Sequence, residues 1–130
     1  MLLVKTRLRP SPIEGLGLFA AQFIPKGTVV WKFDPLLDHL VDAAALEGLH
    51  PVERDFMARY AYLNSTTRKW VVCVDDARFM NHSSKPNLVS VYPPGEVEGV
   101  DVAAWDIAEG EEITTDYLTF DADAKNKLGP

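Results

Sequence analysis

The chain has 130 residues, of which 47% are hydrophobic, 10% aromatic and 25% charged, so it is neither a disordered nor a collagen-like sequence. Nineteen acidic against thirteen basic residues give a net charge of −6, which excludes the basic face that a nucleic-acid backbone requires. The single cysteine, Cys73, supports neither an internal disulfide framework nor a cysteine zinc cluster, and every apolar stretch is far short of the ~20 residues of a membrane span.

In chain order, Met1 to Pro10 carries charges where a secretory apolar core would continue. A protein inside the cell, in cytoplasm, nucleoid or nucleus, is expected. Val4 to Leu8 alternates apolar and charged residues and predicts a strand, broken at Pro10-Ser11-Pro12. The flexible turn Gly15-Leu16-Gly17 leads into Leu18 to Ala21, and the β-branched and aromatic run Thr28 to Phe33 predicts a second strand. Asp42 to Leu49 predicts a short helix. A longer one is predicted over Arg54 to Leu63, with Pro51 at its start and apolar residues at Val52, Phe56, Tyr60 and Leu63. Strands are predicted at Trp70 to Val74, Val97 to Trp105 and Ile113 to Phe120, and the polar tail Asp121 to Pro130 is expected to be mobile. The strand–helix alternation of a doubly wound fold is missing.

Familiar catalytic devices are absent: there is no HExxH, P-loop, GxSxG or EF-hand loop. His39, His50 and His82 are scattered, so no metal is expected. Cys73 sits among valines and reads as a small buried hydrophobe. Bases dominate before residue 33, whereas ten acids lie between Glu96 and Asp123, a distribution that attracts basic partners.

Three segments are specific when read together and in order. They are Gly15 to Ala20 (GLGLFA), Asp76 to Asn87 (DARFMNHSSKPN) and Glu109 to Tyr117 (EGEEITTDY). The chain resembles the SET-domain family of S-adenosylmethionine-dependent protein lysine methyltransferases, with matches to the family's G-x-G turn, R-F-x-N-H-S-x-x-P-N box and G-E-E-[IL]-x-x-[DNS]-Y box. The resemblance implies a mainly β fold, the SET-domain (β-clip) fold. It consists of several small curved sheets with a pseudoknot and one or two short helices in the middle insert. The SET domain would occupy residues 1–120 and the tail residues 121–130. The Asn81-His82 and Tyr117 segments would pack side by side.

The same resemblance implies the site. Gly15, Leu16 and Gly17 would let backbone approach S-adenosylmethionine, since glycine lacks a Cβ. Asn81 and His82 would hold the cofactor, and Arg78 and Phe79 would brace the knot. Phe120 would stack on the adenine. Tyr117 corresponds to the catalytic tyrosine and would touch the cofactor too, and Tyr60 or Tyr62 would add a second aromatic to the substrate channel. The implied reaction is an in-line displacement in which the lysine nitrogen bonds to the sulfonium methyl as the carbon–sulfur bond breaks. Presenting the neutral amine at pH 7 costs about 4.6 kcal/mol, which an apolar channel reduces. Tyr117, with a phenol's ordinary pKa near 10, would align the amine rather than act as a base.

Two departures from the family pattern matter. Ser84 stands where many members place a zinc-binding cysteine, and no cysteine follows residue 73, so the tail, a neighbouring subunit in a homodimer or the substrate must close the channel. Thr115 stands where some members carry an aromatic that limits methylation. The expected function is methyl transfer to a lysine of a basic protein such as a histone-like tail, with no direct nucleic-acid or membrane partner. The alternative is a SET-fold binding module with little or no catalytic activity.

Overall fold

A computed structural model describes residues 1–129. Among the described residues four small sheets pack around a main apolar core and a smaller cluster beside the helix at Pro51–Tyr60. β1 (Thr6–Pro10) and β2 (Leu16–Ala20) form an antiparallel hairpin in which Thr6 faces Ala20 and Pro10 faces Leu16. β3 (Val29–Trp31) belongs to a second sheet described below. β4 (His39–Asp42) leads through a 3-10 turn at Ala43–Gly48 to α1 (Pro51–Tyr60). β5 (Tyr62–Leu63) and β6 (Lys69–Val72) complete a sheet ordered β4-β6-β5.

After a 3-10 turn at Asp76–Phe79 comes β7 (Asn81–His82), then β8 (Leu88–Val91) and β9 (Val100–Ala103), which join β3 in the order β3-β9-β8. β10 (Thr114–Thr115) pairs in parallel with β7, and the 3-10 turn Tyr117–Thr119 precedes α2 (Ala124–Leu128). The architecture is the mainly β arrangement of small sheets that the resemblance implies.

The core is built from Leu18, Ile24, Val30, Leu88, Ile107 and Ile113, all fully or almost fully buried. It draws one or two side chains from each of several segments, as short strands with alternating faces must. Cys73 belongs to it, and burial with the nearby Asp38 and Asp75 carboxylates pushes the thiol up to about 12. A thiol held protonated is no nucleophile, in line with its expected role as a small hydrophobe.

The observed elements differ from the predicted ones at identifiable points. α1 starts as expected: Pro51 occupies its first turn, His50 Nδ1 accepts from the Val52 amide at 3.2 Å, and the His50 amide donates to Glu53 at 3.0 Å. It stops at Tyr60 rather than Leu63, because Tyr62 and Leu63 pair with Val71 and Trp70. Met57 is its buried residue, packed with Ala61, Leu63 and Trp70, whereas Val52 and Phe56 of the expected apolar stripe are exposed. Asp42 to Leu49 is a 3-10 turn rather than an α-helix. The strand predicted from Ile113 to Phe120 is reduced to Thr114–Thr115, after which Asp116 accepts from the Leu118 amide and turns the chain. The tail is folded over its described length: Asp121 and Ala124 are buried, and Lys127 reaches back to Asp121 and the Ala61 carbonyl. Pro130 lies outside the described residues.

Candidate active site

The parallel pairing of β7 with β10 brings together the two longer motifs, with Asn81 facing Thr114 and His82 facing Thr115. Buried Asn87, the last residue of the Asn81-His82 box, clamps them. Its amide nitrogen donates to the Glu112 carbonyl at 2.8 Å, and its oxygen accepts from the Thr114 amide at 2.9 Å. Those two bonds reproduce what a neighbouring strand would offer. Farther along, His82 Nδ1 accepts from the Tyr117 amide at 3.1 Å, and the two rings lie 5.4 Å apart. Since a backbone N–H can only donate, the proton of the neutral imidazole is assigned to Nε2.

The first motif is tied to the same place through the Asn81 amide and the carboxylate that holds it. Glu112 accepts from Ser11 Oγ at 2.8 Å on each oxygen and from Asn81 Nδ2 at 2.9 Å. Asn81 Nδ2 also donates to the Glu14 and Leu16 carbonyls at 3.1 and 3.3 Å. Gly15 is needed for its backbone, with φ +47, where side chains are strained. Gly17 is needed for space. A Cβ there would lie 2.4 Å from Glu112 Oε2. Its missing side chain therefore makes room for Glu112, a physical reason separate from cofactor approach. Glu112 was visible in the sequence only as one acid of a motif.

The expected aromatic residues meet on the other side of Tyr117. A cavity of about 380 Å³ is lined by Tyr60, Tyr62, Tyr117 and Phe120, together with Trp31, Tyr92, Thr115, Glu98 and Asp101. Tyr62 and Tyr117 both pack edge-on against Phe120, at 5.2 and 6.1 Å between ring centres. Tyr60 closes α1 and lies between Phe56 and Phe79. Arg78 stacks on Phe79 and donates to the Asp75 carbonyl at 3.1 Å. Gly15, Leu16, Gly17, Asn81 and His82 stand outside the cavity's lining. The site residues thus form two groups, the turn-and-box surface and the aromatic cavity, joined at the His82–Tyr117 contact.

Tyr117 donates its hydroxyl proton to the Met80 carbonyl, and burial, reinforced by the Glu14 and Asp121 carboxylates, pushes it up to about 12. At neutral pH it is a phenol with its proton directed away and its lone pairs available. Tyr62 donates to Glu98 at 2.8 Å and is raised further, chiefly by burial and then by the Glu98 charge.

Asp101 is another of the acids that line the cavity. It accepts from Ser90 Oγ at 2.7 Å, but burial dominates and pushes it up to about 6 from an ordinary 3.8. The folded state therefore holds this proton more tightly than the unfolded chain. Stability from this group is greatest below about pH 4 and is lost as pH rises to about 6, by on the order of 3 kcal/mol. Asp101→Asn, which can still accept from Ser90, is expected to raise the melting temperature at pH 8 and to lose that advantage at pH 4. Thermal unfolding of both proteins across this range checks it, and a difference independent of pH would contradict it.

Among the described residues no group of three or more His, Cys, Asp or Glu side chains converges as a metal site, and no helix is long and apolar enough to cross a membrane.

The fold and the two joined groups define a protein class, and comparison with known families agrees: the SET domain family matches residues 15–118, and the chain belongs to that family. Human histone-lysine N-methyltransferase 2D is 27% identical over 123 residues, 93% of this chain and 2% of that protein. Zebrafish N-lysine methyltransferase KMT5A-A is 32% identical over 116 residues, 80% of this chain. The chain spans 2% and 32% of the lengths of these two relatives. Among solved structures, autoinhibited ctPRC2 bound to S-adenosylmethionine superposes with a TM-score of 0.70 at 26% identity, covering 96% of this chain and 16% of that one. A humanized mutant of the Chaetomium thermophilum Polycomb Repressive Complex 2 gives 0.68 at 24% identity, over 95% of this chain and 16% of that one, and supports the fold alone.

Proposed function

We propose that the protein is a protein-lysine N-methyltransferase that uses S-adenosylmethionine and acts on a basic protein. The observation that carries this reading is the junction at Tyr117, where an aromatic, acid-bearing cavity meets the surface formed by Gly15 to Gly17, Asn81 and His82. When bound, S-adenosylmethionine supplies the activated methyl group. The half-buried surface suits its amino-acid end: with Asn81 Nδ2 and His82 Nδ1 already engaged, Asn81 Oδ1 is left to accept from an ammonium and His82 Nε2–H to donate to a carboxylate. Leu16 stands exposed beside them.

On the substrate side, Glu98 and Asp101 attract a cationic side chain, while the walls formed by Trp31, Tyr62, Tyr117 and Phe120 exclude water and favour loss of its proton. Tyr117, its own proton given to Met80, accepts a hydrogen bond from the amine and holds it in line. Phe120 takes part here as a wall of the channel, against both tyrosines. Lys127 and Asp121 from the tail also line the cavity, which supports the tail as part of its closure. A homodimer and the substrate itself are the other closures proposed, and sedimentation tests the first. The names of the two methyltransferase relatives support transfer to lysine, and that of the human protein supports a histone-like target. An intracellular location follows from such a target.

The experiment is calorimetry with S-adenosylmethionine, followed by labelled methyl transfer to a panel of basic proteins. Micromolar binding with label on lysine is expected. Binding without transfer to any protein favours the binding module, and absence of binding overturns the methyltransferase reading.

A further inference from the structure

In the sequence Glu98 is one acid of an acidic stretch, yet it is 7% exposed and lines the aromatic cavity. We propose that Glu98 is a positioning residue for methyl transfer, which fixes the direction of the Tyr62 hydroxyl so that the phenol oxygen can only accept from the substrate amine. The inference rests on the methyltransferase reading and adds to it a residue outside the three motifs.

The direction is fixed by a chain of hydrogen bonds that begins in the turn between β5 and β6. Asn64 Oδ1 accepts from the backbone amides of Thr66 and Thr67, at 2.8 and 3.0 Å. That orients the Asn64 side chain, so Nδ2 must be the atom facing Glu98, to which it donates at 2.9 Å. Glu98 accepts with both oxygens, one from Asn64 and the other from Tyr62 at 2.8 Å. A carboxylate has no proton to give, so Tyr62 is the donor. Its remaining lone pairs are then the only polar feature it offers to the cavity. Tyr117 has the same polarity through Met80. Two phenol oxygens, both restricted to accepting and both packed on Phe120, fit the two N–H bonds of a neutral primary amine while its lone pair stays free to attack.

Glu98→Gln tests this because it keeps the shape and reverses one bond. Asn64 still needs an acceptor, so the glutamine carbonyl turns to Asn64 and its NH2 donates to Tyr62. The Tyr62 proton then points into the cavity, where it captures the amine lone pair. A fall in kcat of about tenfold or more is expected, with cofactor affinity unchanged. In a Tyr62→Phe background the same substitution should cost less than about twofold, because the reversed hydroxyl is gone. An equal cost in both backgrounds overturns the positioning role.

A second readout needs no activity. With tyrosines labelled at the ring carbon bearing the hydroxyl, the Tyr62 resonance, identified by its loss in Tyr62→Phe, should move in Glu98→Gln. An unmoved resonance in a folded variant overturns the hydrogen-bond chain. Absence of transfer by the unaltered protein would overturn the methyltransferase reading instead, with the resonance still deciding the bond's direction.

Discussion

Tyr117→Phe is expected to bind S-adenosylmethionine within a few-fold of the unaltered protein while losing about a hundredfold or more in methyl transfer. The cavity keeps its shape because the ring still packs against His82 and Phe120. What disappears is one oxygen. That oxygen gives its proton to Met80 and, on this account, uses its lone pairs to hold the attacking amine. The Met80 carbonyl loses a partner, at a cost of about 1–2 kcal/mol, so the variant should remain folded. Thermal unfolding and calorimetry establish that the protein is intact, and single-turnover transfer measures the loss. Unchanged turnover would remove Tyr117 from the mechanism.

Gly17→Ala should act through stability and cofactor binding together. Its Cβ would lie 2.4 Å from Glu112 Oε2, 2.9 Å from Glu112 Cδ and 3.0 Å from Ser11 Cβ. Glu112 cannot move aside without giving up its bonds to Ser11 and Asn81. Charge-assisted bonds of this kind are worth about 1.5–3 kcal/mol, and overpacking adds about as much, so a fall in melting temperature of about 10 °C or more is expected. Asn81 loses one of the contacts that fix its amide, and cofactor affinity should weaken by about tenfold. In a Glu112→Ser background only the 3.0 Å approach to Ser11 Cβ remains, and Gly17→Ala should then cost clearly less. Equal losses in the two backgrounds would show that Glu112 is not what requires the glycine.

The three motifs mark much of the candidate site in the sequence because their residue types answer local demands. Gly15 answers a positive φ, Asn87 the free backbone groups of Glu112 and Thr114, and Tyr117 a part-buried phenol beside His82. What the motifs could not carry is long-range. Glu98 lies 36 residues from Tyr62 and 34 from Asn64, and its role depends on contacts with both that no local pattern reveals. Asp101 sits in β9, where strand propensity was legible but the face it presents was not. α1 was legible at its start, where His50, Pro51 and Glu53 form a cap, and not at its end, which is set by pairing with β6. The tail reads as polar because its acids and lysines dominate, yet Lys127 and Asp121 neutralise each other where the tail folds back. The missing side chain of Gly17 reads in the sequence as room for a cofactor, whereas in the structure Glu112 of another motif fills that space.

The most direct measurement is mass-spectrometric mapping after incubation of the protein with isotopically labelled S-adenosylmethionine and a basic protein extract. Labelled methyl groups are expected on lysine side chains, present with the unaltered protein and nearly absent with Tyr117→Phe. Label on another residue type, or equal label from both proteins, would contradict this expectation.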